Sequence, residues 1–138
     1  MIKYYFDHPY SKILNDTTLD RQTSSFQIYM ARNEYEGCQL VLKSEVDAEV
    51  SVSVKVDGFT FDIFLVRYVS VKKEHMYPDG LMPICDNTKI PLKKGVRQPV
   101  YIRFHAVSDV KSGDHKAVVL ISTKEGTIKS HIDICVFD

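Results

Sequence analysis

The densest run of polar side chains in the chain is Ala-Arg-Asn-Glu-Tyr-Glu-Gly-Cys-Gln-Leu-Val-Leu, residues 31–42. Glu34 and Glu36 invite acid–base chemistry by a pair of carboxylates. Glycoside chemistry of that kind sets two carboxyls about 5 to 10 Å apart across a pocket, and the flanking sequence supplies no substrate cleft. The competing reading is a corner of the fold, built from Arg32, Asn33, Glu34 and Gln39. Asn33 suits a left-handed turn, Glu34 accepts hydrogen bonds from the backbone or from Arg32, and Gly37 frees the chain to re-enter a strand. Gln39 would tie that buried corner to the backbone. Structure outweighs catalysis here.

Other chemistries find less support. The histidines are His8, His75, His105, His115 and His131, with no HxH or HxxxH pair and none at ligand spacing from a cysteine. Cys38, Cys85 and Cys135 are widely spaced and odd in number, which suits reduced thiols with at least one in a core. No GxSxG elbow and no glycine-rich phosphate loop occurs, so no cofactor is expected. The Asn15-Asp16-Thr17 sequon is discounted, since it matters only in a secreted eukaryotic protein. A sugar platform would need aromatic side chains. The chain has no tryptophan but eight tyrosines, and Tyr77 is the best placed of them. Tyr4, Tyr5, Tyr29 and Tyr68 sit in strands, where packing is the usual job.

The elements that would position these residues are strands. Val50, Val52, Val54 and Val56 share one face, with Glu49, Ser51, Ser53 and Lys55 opposite. Val100, Ile102, Phe104 and Ala106 oppose Tyr101, Arg103 and His105. Ile128, Ser130, Ile132, Ile134 and Val136 oppose Lys129, His131 and Asp133. The runs IKYYF, SSFQIYM, CQLVLKS, FDIFLVRYVSV and KAVVLIST bring the set to about eight strands, the last of them central or under another element because both its faces are apolar. Asp57-Gly58 and Glu125-Gly126 mark turns. Helix is limited to a single turn around Thr17 to Arg21. The fold expected is an all-β antiparallel β-sandwich, immunoglobulin- or jelly-roll-like, filling residues 1–138 as one domain.

The longest interruption, Glu74 to Val96, reads as a proline-rich loop too apolar for a free linker. Its Tyr77, Pro78, Asp79, Leu81 and Pro83 are candidates for docking or sugar contact. Eighteen basic residues balance eighteen acidic ones, which argues against a nucleic-acid or anionic-membrane partner. Lys93, Lys94 and Arg97 form the one dense basic patch and read as a solvated loop. No apolar run approaches the ~20 residues of a membrane span. With Met1 as the native start and no signal-peptide pattern, the expectation is a cytoplasmic protein.

The stretch 31–42 also resembles a signature of the amino-terminal domain that precedes the catalytic barrel in glycoside hydrolase family 123 and its uncharacterised relatives. Ala31, Arg32, Asn33, Glu34, Glu36, Gln39, Leu40, Val41 and Leu42 carry the match. Tyr77 to Ile84 resembles the family's Tyr-Pro-Asp-x-Leu-x-Pro element, with Gly80 where relatives often carry proline. The segment from Gly95 to Thr123 is similar to a Gly-x-x-Gln-Pro-Val strand, a polar Gly-Asp loop and a following strand. His131 to Asp138 resembles the strand leading towards the barrel. The resemblance runs from about Phe26 to Asp138. It implies a non-catalytic accessory sandwich whose partner is the downstream barrel of the same polypeptide. That barrel would act on β-linked N-acetylgalactosamine, with an adjacent Asp-Glu pair and the substrate's acetamido group as nucleophile. None of those catalytic residues maps onto this chain. The alternative is an independent carbohydrate-binding module, with a glycan as its partner.

Overall fold

Alternating valines make Ala48–Lys55 a strand whose inner side chains are buried while its serines are half-exposed. The same period-two logic recurs along the chain. The computed structural model describes residues 1–14, 25–71 and 75–138, and for Ser70, Val71, His75–Tyr77 and Asp79 the backbone alone. The expected turn of helix at Thr17–Arg21 and the Asn15 sequon lie outside the described residues.

Among the described residues the elements are β1 (Ile2–Asp7), β2 (Ser25–Met30), β3 (Tyr35–Ser44), β4 (Ala48–Lys55), β5 (Phe59–Val71), β6 (His75–Ile84), β7 (Ile90–Leu92), β8 (Gln98–Ala106), β9 (Gly113–Thr123) and β10 (Gly126–Val136). They form two five-stranded sheets, ordered β1-β3-β8-β5-β6 and β2-β10-β9-β4-β7. This is the β-sandwich the side-chain alternation predicts, with no helix among the described residues. β9 is an inner strand, between β10 and β4. Pairing is antiparallel except for β2, which runs parallel to β10. Parallel neighbours need a long crossover, and here the whole of β3 to β9 intervenes.

Two strands exceed the expected eight, and both lie in the stretch read as a loop. His75–Ile84 pairs with β5 as an edge strand, with a register shift between Arg67 and Tyr68. Ile90–Leu92 caps the other sheet against β4. Proline signals loop because it cannot donate to a ladder, yet an edge strand has one side with no ladder to complete. Pro78 and Pro83 are tolerated in β6 for that reason.

The core lies between the sheets. Phe104, Ile102 and Val100 of β8 face Ile121, Val119 and Ala117 of β9 and Ile132 and Ile134 of β10, all fully buried. Burying each aliphatic chain of this kind contributes roughly 1.5 to 3 kcal/mol. Cys38 joins this core, and all three thiols are free. A second, small cluster sits on the outside of the first sheet, where Tyr5, Val41 and Ile13 pack together. Arg97 supports it. The residue read as part of a solvated basic loop is only 3% exposed, with its guanidinium over the Tyr5 ring and Nη1 donating to the Tyr5 hydroxyl at 3.1 Å. Lys93 and Lys94 do remain exposed.

Candidate binding cleft on the outer face of the first sheet

The polar run at 31–34 connects β2 in one sheet to β3 in the other, so it is a sheet-crossing corner. Asn33 adopts φ 64°, a conformation asparagine reaches more readily than most residues. Its N–H donates to the Ala106 carbonyl at 2.8 Å, and the Ala106 N–H donates back to the Glu34 carbonyl at 3.2 Å. The Glu34 Oε2 accepts the Ala31 N–H at 2.6 Å. Arg32 Nε donates to the Val110 carbonyl at 2.8 Å, and its Nη1 lies 3.6 Å from an Asp138 carboxylate oxygen. Contrary to the expectation of a buried corner, residues 31–35 are exposed.

Gln39 is not part of that corner. It is 5% exposed, and its Nε2 donates to the His8 carbonyl at 3.0 Å and the Ser11 carbonyl at 2.7 Å. It fastens the segment 8–14, which crosses the outer face of the first sheet as a strap. The far end of the strap is held by Ile13, buried on Val41, and by the Tyr68 hydroxyl donating to the Ile13 carbonyl at 2.6 Å. The near end is held by Asp7, whose Oδ1 accepts the His8 N–H at 2.8 Å and the Ser11 hydroxyl at 3.0 Å.

Between this strap and β6 lies a cleft of about 340 Å³, with Tyr10 and Ser11 on one wall, Pro78 and Leu81 on the other, and Gln39 and Tyr101 along the floor. The structure therefore joins two sets of residues that the sequence reading kept apart. Pro78 and Leu81 meet Gln39 here. Pro83 instead lines a neighbouring hollow beside Phe61 and Cys85, and the side chains of Tyr77 and Asp79 lie outside the described residues. A larger hollow, about 470 Å³, opens at one end of the sandwich among Val46, Pro91 and Lys124. It has no aromatic wall, so the cleft is the better candidate for a ligand.

Tyr101 is the floor residue that the sequence places on the solvent side of β8 without showing what it meets. Its conformation depends on Gly37. A Cβ at residue 37 would stand 2.6 Å from the Ile102 carbonyl oxygen and 2.9 Å from the Tyr101 hydroxyl. Glycine is required there by close approach, and not to free the backbone as the sequence suggested. It lets the Tyr101 ring lean across β3. Partial burial pushes the Tyr101 phenol up from its ordinary value, with Arg103 opposing, so the hydroxyl stays protonated at neutral pH.

Beside the cleft the outer face carries a stacked row. Tyr35 stacks on His105 at 4.3 Å, and Arg103 lies over both Tyr35 and Phe64 at 5.1 and 5.4 Å. Arg103 also pairs with Asp62 at 2.7 Å, the main cause of its raised pKa. His105 Nε2 is 3.0 Å from Asn33 Oδ1, which links this row to the corner. Among the described residues no group of three or more His, Cys, Asp or Glu is placed to hold a metal ion.

No family model and no curated protein matches the chain. Among solved structures, all of this chain superposes on 28% of a family 123 glycoside hydrolase from Clostridium perfringens, studied for glycolipid glycan hydrolysis, with a TM-score of 0.72 and 9% identity. AvmM, which catalyses macrocyclisation in alchivemycin A biosynthesis, aligns over 99% of this chain and 90% of its own at a TM-score of 0.51 and 7% identity. At such identities the likeness is one of fold. The chain thus shares the sandwich architecture of a portion of the glycoside hydrolase and spans little more than a quarter of that enzyme's length.

Proposed function

We propose that this chain is a non-catalytic accessory sandwich of a glycoside-hydrolase-like protein, packing against a catalytic barrel that follows it in the same polypeptide. One observation carries the reading: the full length of the chain superposes on a 28% portion of the family 123 hydrolase at a TM-score of 0.72. The ordered motifs from Ala31 to Asp138 add to it. The parent enzyme, on this reading, is β-N-acetylgalactosaminidase-like.

The docking element is β6. It is a sheet edge, and Leu81, 54% exposed, and Pro83 stand open on it. Edge strands with exposed apolar side chains are liabilities unless something covers them. Hydrogen exchange on the longer protein and on residues 1–138 alone tests this. Amides of residues 79–82 and 84 should exchange more slowly, by roughly tenfold or more, when the barrel is present. Equal exchange in the two proteins would reject docking through β6. The second reading, an independent carbohydrate-binding module, is favoured by the cleft beside Tyr101.

A further inference from the structure

We propose that the cleft between the 8–14 strap and β6 is a saccharide-binding site, with Tyr10 and Tyr101 as its ring contacts and the Gln39 carbonyl as its acceptor. The inference deepens the second reading above, the carbohydrate-binding module, and rests on that reading and not on the accessory role.

Tyr10 is the first observation. It is 91% exposed, so packing does not account for it. Yet the backbone on either side is pinned by the bonds from Gln39 to the His8 and Ser11 carbonyls, by the Ser11 N–H to the His8 carbonyl at 3.2 Å, and by the Asp7 carboxylate. A large side chain presented to water on an anchored backbone is preorganised for contact, because little ordering entropy remains to be lost on binding. Tyrosine suits such contact, offering a flat apolar ring with a polar tip.

The floor is the second observation. Gly37 removes the Cβ that would collide with the Tyr101 hydroxyl, so the ring leans over β3 at the base of the cleft. Gln39 spends both N–H bonds of its amide on the strap, and its carbonyl oxygen has no partner among the described residues. That leaves an acceptor fixed in orientation beside an aromatic ring. Among the described residues no carboxylate lines the cleft.

These features select a ligand class. A pyranose presents C–H faces to aromatic rings and hydroxyl donors around its rim. The cleft offers rings to the first and a carbonyl and hydroxyls to the second. Its volume, about 340 Å³, lies at the lower end of the ~300–1,000 Å³ range of small-molecule sites, which suits a short terminal portion of a glycan. Lys12 at the wall tolerates an acidic sugar as well as a neutral one.

A glycan array probed with this domain, followed by amide NMR titration with the strongest array glycan, tests the proposal. Shifts should centre on Tyr10, Gln39, Gly80 and Tyr101. Tyr10→Ala should weaken binding roughly tenfold with unchanged melting, since Tyr10 is not packed. Tyr101→Phe should retain much of the affinity, because the ring survives. A bare array with no shifts at millimolar glycan would overturn the site. So would binding that is unaltered by both Tyr10→Ala and Tyr101→Ala. Because the domain is tested alone, failure here leaves the hydrogen-exchange result on β6 standing by itself.

Discussion

Single residues in this molecule act through the backbone more than through each other. Glu34 serves as a cap on the crossing between sheets, accepting the Ala31 N–H at 2.6 Å. Glu34→Ala should cost about 0.5–1.5 kcal/mol, the typical worth of one such bond, and lower the melting temperature by roughly 2–6 °C. Differential scanning calorimetry reads the change, and unaltered melting would remove the capping role. Gly37→Ala acts by a different cause. The added methyl meets a backbone carbonyl of β8 at 2.6 Å, which cannot rotate away. Overpacking of this kind costs roughly 1–3 kcal/mol, so urea midpoints should fall accordingly. Asn33's turn conformation and Glu34's backbone bonding were legible from residue type. The role of Gly37 was not, because the collision is with a strand some 65 residues further along.

At the scale of elements, the strap is the clearest case of a segment held by few bonds. Gln39→Ala would remove the side-chain donor to the Ser11 carbonyl and leave the His8 carbonyl only the Ser11 N–H. Opening of the strap should become easier while the inter-sheet core stays intact. Amides of residues 10–13 should therefore exchange at least several-fold faster, with core amides such as those of Val119 and Ile132 unaffected. Uniform acceleration across the domain would show that Gln39 supports the whole sandwich instead. Eight strands could be read, three from clean period-two alternation and the rest from apolar, β-branched or aromatic runs between turn residues. β6 and β7 could not, because prolines interrupt one and the other is three residues long. An edge position excuses both, and edge position is a property of the sheet.

For the whole molecule, the buried Cys38 thiol links stability to pH. Burial pushes its pKa up to about 12 from an ordinary 9.0. The unfolded chain releases this proton first, so the contribution is intact below about pH 9 and is lost as pH climbs from there towards 12. Across that span the loss is on the order of 4 kcal/mol. Urea denaturation at several pH values should show stability falling through this range. Cys38→Ala, less stable at neutral pH, should fall less steeply between pH 9 and 11. Parallel slopes for the two proteins would place the alkaline sensitivity elsewhere.

What the sequence determined by itself was the class of fold and, for the three cleanly alternating strands, the side that faces water. Those follow from alternation, a local property that any eight-residue window displays. Tyr101, Arg103 and His105 were readable as a solvent face for that reason. The tertiary structure alone decided which faces meet. It set the 8–14 strap across the first sheet, turned Gln39 from corner residue to strap anchor, buried Arg97 beneath Tyr5, and laid β6 beside the strap to enclose a cleft. Such neighbours are fixed by strand order, and strand order arises from the summed packing of both sheets, a quantity no short stretch of residues contains.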